Sequence, residues 1–151
     1  MVEKFLHIPT KDGKVIYGTL NYKGKKPARV IVFVHGLTGS ISDHPLLAAS
    51  RFFPQHGFAA FRIGLYGWNK DARHLRACTT KTHGKDISRA VQFLKKDFQN
   101  VFLVGHSWGL PSILFSNTKG VKAISFWDGS VDLERAFSAY KYEGQKIDAY
   151  A

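Results

Sequence analysis

Residues 101–112 read V-F-L-V-G-H-S-W-G-L-P-S, and this stretch decides the fold. An apolar run over residues 101–104 stops at Gly105. Ser107 then stands between Gly105 and Gly109, and a helix-compatible segment follows over residues 110–117. A strand that turns sharply into a helix crowds the backbone on both sides of the central residue. Glycine relieves the crowding because it has no Cβ. The G-x-S-x-G spacing therefore predicts a tight strand-to-helix turn with the Ser107 hydroxyl exposed at its apex. The spacing alone recurs by chance in roughly one chain of this length in twenty. The strand signal before it and the helix signal after it lift it above that level. Pro111 falls in the first helical turn, where a missing N–H costs little.

Working outward, residues 30–34, V-I-V-F-V, form a continuous β-branched run that stops at His35-Gly36. Such a run reads as a central strand buried on both faces. Residues 58–63 and 121–127 read as further strands. Between them, residues 45–56 predict a helix with Leu46, Leu47, Ser50 and Phe53 on its apolar face, tightened or ended at Pro54 and closed by Gly57. Residues 84–97 predict another, with Ile87, Ala90, Val91 and Leu94 in one stripe and Thr82 as its cap. Residues 3–8 and 15–22 form an opening hairpin through Asp12-Gly13. The segment 64–82 is irregular, residues 132–141 look helical, and the last ten are polar. Strands alternating with helices imply an α/β fold: a mostly parallel sheet with helices on both faces, entered through the hairpin.

The chain has 151 residues, the length of a single domain over 1–151. Hydrophobic content of 44% argues against disorder. The formal charge is +11, yet Lys and Arg are scattered along the chain, and the cluster Lys23, Lys25, Lys26 and Arg29 reads as a solvated loop. No nucleic-acid module is implied. Cys78 is the lone cysteine, and the N-terminus carries no signal-peptide pattern. Both fit a reducing, cytoplasmic compartment. No run approaches the length of a membrane span.

V-H-G-L-T-G-S at residues 34–40 and V-G-H-S-W-G at residues 104–109 together resemble the α/β-hydrolases. The chain is most similar to the N-terminal part of the cinnamoyl and feruloyl esterase and acylaminopeptidase-like branch. The resemblance implies that Ser107 is a nucleophile on a nucleophile elbow. It places the oxyanion hole on the backbone N–H groups of Leu37 and Trp108, within the motif residues His35, Gly36, Gly105, His106 and Gly109. It implies a serine hydrolase that cleaves a carboxylic ester or thioester through an acyl-enzyme, with no cofactor and no metal. The partner is a small-molecule ester or acyl substrate. The alternative is a non-catalytic binding or interaction protein on the same fold.

The departures matter too. The family's triad runs Ser, then Asp, then His, and no histidine follows His106 here. Asp128, directly after the strand 121–127, is a possible acid that also reads as a loop residue, and Asp132 reads as a helix cap. The sequence gives strand 121–127 a single lysine, so as a sheet edge it would be poorly protected. These features predict that the fold lacks its last strands and that the domain is C-terminally incomplete. His74, Cys78 and His83 could form part of a zinc site, with His74 and Cys78 four apart, but no fourth ligand is evident. They match no standard ligand spacing.

Overall fold

The computed structural model describes residues 1–129 and, beyond them, the backbone of Lys141–Tyr142 (β7) and Gln145–Lys146 (β8), which pair antiparallel. The expected helix over 132–141 and the Asp132 cap lie essentially outside the described residues.

The sheet is built from β1 (Val2–Pro9), β2 (Val15–Tyr22), β3 (Arg29–Val34), β4 (Ala59–Gly64), β5 (Asn100–His106) and β6 (Ile124–Trp127), in the order β1-β2-β4-β3-β5-β6. The hairpin β1–β2 joins β4 antiparallel, and β4, β3, β5 and β6 run parallel. Among the described residues, three α-helices cover it: α1 (His44–Phe52), α2 (Thr80–Leu94) and α3 (Gly109–Leu114). The alternation of side chains along β3 sorts the core in two. Val30, Val32 and Val34 meet the Ile87–Ala90–Val91–Leu94 stripe of α2 and Ile113 of α3. Ile31 and Phe33 face Leu46 and Ala49 of α1 on the other side. A strand buried on both faces has no room for polar residues, which is why β3 reads as an unbroken apolar run.

Of the boundaries that differ from the sequence expectation, three have a local cause in hydrogen bonding. Helix α2 begins at Thr80, earlier than expected, because Thr79 is the cap and Thr82 is its reciprocal partner. The Thr82 N–H donates to Thr79 Oγ1 at 3.2 Å and the Thr79 N–H to Thr82 Oγ1 at 2.7 Å, a capping box closed by threonines. Thr79→Ala is expected to lower unfolding free energy by about 1 kcal/mol, read from the urea midpoint at unchanged m-value. Helix α3 stops at Leu114, short of the expected end, as Ser116 turns its hydroxyl onto the Ile113 carbonyl and the Asn117 N–H goes to Ser88 Oγ. Strand β6 begins at Ile124, after Val121 closes a turn on the Thr118 carbonyl.

After α1 the chain tightens into a 3-10 turn over Phe53–His56, since Pro54 has no N–H for a helical bond. The irregular segment after β4 is pinned by Arg73. Its guanidinium takes both Asp86 oxygens, with Nη2 at 2.9 Å from Oδ1, and reaches Asp12 at 2.8 Å. Loop, helix α2 and the opening hairpin thus share one cation. Among the described residues, the outer edge of β6 pairs with no strand, and Ile124 and Phe126 there are 39% and 40% exposed. An apolar groove of about 250 Å³ runs along β6 on the α1 side, walled by Phe53, Phe58, Phe102 and Trp127.

Candidate active site

Ser107 sits at the end of β5 with φ +50°, a left-handed conformation that strains a side-chain-bearing residue. The surroundings hold it there. Its N–H donates to the Trp127 carbonyl of β6 at 3.1 Å, and its carbonyl accepts the Leu110 N–H at 3.0 Å. The flanking glycines are required by close approach. A Cβ on Gly105 would lie 2.9 Å from Ile113 Cδ1, and one on Gly109 would lie 2.6 Å from the Val34 carbonyl oxygen. The elbow therefore rests directly on β3.

That contact brings the two motifs together. A Cβ on Gly36 would lie 3.1 Å from Ser107 Cβ and 3.5 Å from its Oγ, so the 36–37 backbone lies beside the serine. The loop 36–43 is self-bonded. The Gly39 N–H donates to the Gly36 carbonyl at 3.2 Å, and the Ser40 N–H to Asp43 Oδ1 at 2.9 Å. Buried Arg62 reaches out of β4 to the Ile41 carbonyl at 2.6 Å, tying the loop to the sheet. Leu37 is exposed and Trp108 half-buried. Thr38, Ser107 and Asp128 are the non-glycine residues with positive φ among those described, and each lies beyond the carboxyl end of a strand, β3, β5 and β6 in turn. Strain gathered at that end marks the face where sheets of this class place their sites.

The histidines divide sharply. His35 is buried, and its Nδ1–H donates to the Gly36 carbonyl at 2.8 Å while Nε2 accepts the Leu65 N–H at 3.2 Å. Both ring nitrogens are used, and burial holds its pKa below the ordinary value. It braces the loop. His106 pairs in register with Trp127, and its Nδ1 is buried with no hydrogen-bond partner among the described residues. His83 is buried against Ser112. The Ser112 hydroxyl donates to the Trp108 carbonyl at 3.1 Å, so His83 Nδ1–H is the donor to Ser112 Oγ at 3.3 Å. Its Nε2 is buried with no partner among the described residues, which favours the neutral ring because a proton there would have no acceptor.

Burial first, then the neighbouring His35 and the Arg73 charge, push His83 down to about 4 from the ordinary 6.5. The unfolded chain then binds the extra proton, so stability is full above pH 6.5 and is lost as pH falls toward 4. The loss attributable to this group is roughly 3 kcal/mol. Urea unfolding between those limits should show a steeper pH slope for the wild type than for His83→Leu.

The remaining candidates fall apart or stand near the elbow. Asp128, exposed, directly follows the Trp127 carbonyl that holds Ser107, at φ +49°. His74 accepts the Arg76 N–H, Cys78 turns its thiol to backbone carbonyls, and His83 points into the interior. Burial pushes the Cys78 thiol up to about 11, far from a thiolate ligand. Among the described residues no group of three or more His, Cys, Asp and Glu is placed to hold a metal. The sequence reading passed over Arg62, Tyr66 and the Arg73–Asp86 pair. Arg62 had a signal, a cation inside the apolar strand A-A-F-R-I; the others sit in irregular or amphipathic stretches where charge and aromatics are ordinary.

The fold as a whole matches known structures. The chain resembles Est1E from Butyrivibrio proteoclasticus, solved with ferulic acid bound, with a TM-score of 0.78 at 20% identity over 95% of this chain and 60% of that one. It resembles the Pyrococcus furiosus esterase Pf2001 with a TM-score of 0.77 at 19% identity, covering 91% and 54%. The chain has the α/β-hydrolase fold. An α/β serine hydrolase without lid from Xanthomonas campestris matches this fold with a TM-score of 0.66 at 13% identity over 82% and 60%. The chain thus spans about 60% of the length of Est1E. No family model and no curated protein sequence matches it. Among the described residues of this α/β-hydrolase-fold chain, no helix is long and apolar enough to cross a membrane.

Proposed function

We propose that the chain carries the nucleophile and oxyanion hole of a serine hydrolase acting on a carboxylic ester or thioester. The observation that supports this most is Ser107 held at φ +50° with the Gly36 backbone packed against its side chain. Ser107 Oγ attacks the carbonyl carbon and passes its proton to a base. The oxyanion is stabilised by the Leu37 and Trp108 N–H groups, the alcohol or thiol leaves, and water then releases the acid from the acyl-serine. Esters and thioesters are favoured because alcohols and thiols leave more readily than amines. Est1E holds ferulic acid, so feruloyl esters belong in the substrate panel.

A fluorophosphonate probe should label Ser107 and leave Ser107→Ala unlabelled. A wild-type chain that resists the probe at high concentration would sink the reading. A second reading, a non-catalytic binding protein on the same fold, has one observation in its favour. His35 and His83, the histidines nearest the loop and helix that flank the elbow, are committed to interior bonds. It predicts ligand binding with no turnover of any ester.

A further inference from the structure

Three donors converge on one carbonyl beside Ser107. The Gly36 oxygen accepts His35 Nδ1–H at 2.8 Å, the Gly39 N–H at 3.2 Å and the Tyr66 hydroxyl at 3.3 Å. The Tyr66 hydroxyl thus bonds the carbonyl that directly precedes Leu37. The Tyr66 ring is held in place, edge-on to His35 at 5.0 Å and tilted over His83 at 5.9 Å. Burial pushes the phenol up to about 12, so its proton stays available through the neutral range.

The peptide Gly36–Leu37 is planar, so fixing the oxygen fixes the N–H at its other end. Donors on that oxygen also polarise the amide and strengthen its N–H. Thr38, next along, is strained at φ +60°, and a free loop would relax it. We propose that Tyr66, together with His35, is a positioning residue that clamps the Gly36–Leu37 peptide and holds the Leu37 N–H aimed at the oxyanion beside Ser107. Preorganised donors cost no reorientation as charge develops, which is where such a clamp acts. The proposal rests on the reading of Ser107 and Leu37 given above.

Tyr66→Phe removes the hydroxyl and keeps the ring. Carbon and nitrogen NMR on the whole chain should show the Gly36 carbonyl and the Leu37 amide shifting. The rate of Ser107 labelling by fluorophosphonate should fall about tenfold, less than for deletion of a direct donor, at an unchanged thermal midpoint. If the Gly36 and Leu37 resonances stay put, no clamp exists and the proposal is overturned, whatever the activity. If they move while wild type and variant label equally fast, the clamp does not serve the chemistry and the proposal is overturned. If the wild type is not labelled at all, the hydrolase reading fails; the resonances alone then decide whether the clamp exists.

Discussion

Ser107→Gly is expected to abolish labelling by fluorophosphonates and any ester turnover, while being more stable than Ser107→Ala by about 1 kcal/mol. Both variants lose the nucleophile, so both should lose at least about a thousandfold in rate. They differ in the backbone. Ser107 is held at φ +50° by bonds to Trp127 and Leu110 that neither variant removes. Alanine keeps a Cβ in that strained conformation, and glycine does not. Matched urea titrations of the two variants measure the strain, and the labelling rate measures the chemistry. Equal stability of the two would show that the elbow stores no strain. A reactive Ser107→Gly would remove Ser107 from the mechanism.

Gly109→Ala is expected to destabilise the fold by about 4 kcal/mol or more, in the range of exceptional single substitutions. Helix propensity points the other way, because Gly109 is in α3 and alanine is favoured over glycine in a helix by about 1 kcal/mol. The tertiary contact decides. The added Cβ would lie 2.6 Å from the Val34 oxygen and 3.2 Å from the His35 oxygen, both backbone atoms of β3 and its exit. Neither can swing aside as a side-chain tip would. The elbow would have to lift off β3, separating Ser107 from Gly36. Thermal unfolding and the labelling rate should therefore fall together. A variant as stable as the wild type would mean that the elbow does not rest on β3 as described.

The labelling test on Tyr66→Phe and the acid titration of His83→Leu concern residues that the sequence reading did not place in the site, and the reason is physical. Tyr66 lies in the irregular stretch after β4, where no periodicity marks which face a side chain takes. His83 sits at an amphipathic helix start, and its sequence context is that of an ordinary polar residue. Arg62 was the one visible anomaly, a cation in a buried strand. Its partners Glu3, Asn21 and Ile41 come from three separate segments, so nothing local announces them.

The parallel sheet was legible because a strand buried on both faces must be apolar throughout, and residues 30–34 are. The elbow was legible because crowding at a strand-to-helix turn leaves glycine alone acceptable on either side of Ser107. The helical stripe of α2 followed from its period. These are local requirements, written where they act. The boundaries of α2 and β6 were misjudged where a cap or a turn bond of short range outweighed the hydrophobic pattern. What only the tertiary structure decided is the meeting of distant segments. Gly36 against Ser107, three donors on one carbonyl, and positive φ at the carboxyl ends of β3, β5 and β6 arise from strand register and loop path. Pairing energies between segments far apart in the chain select that register, and no window of sequence contains them.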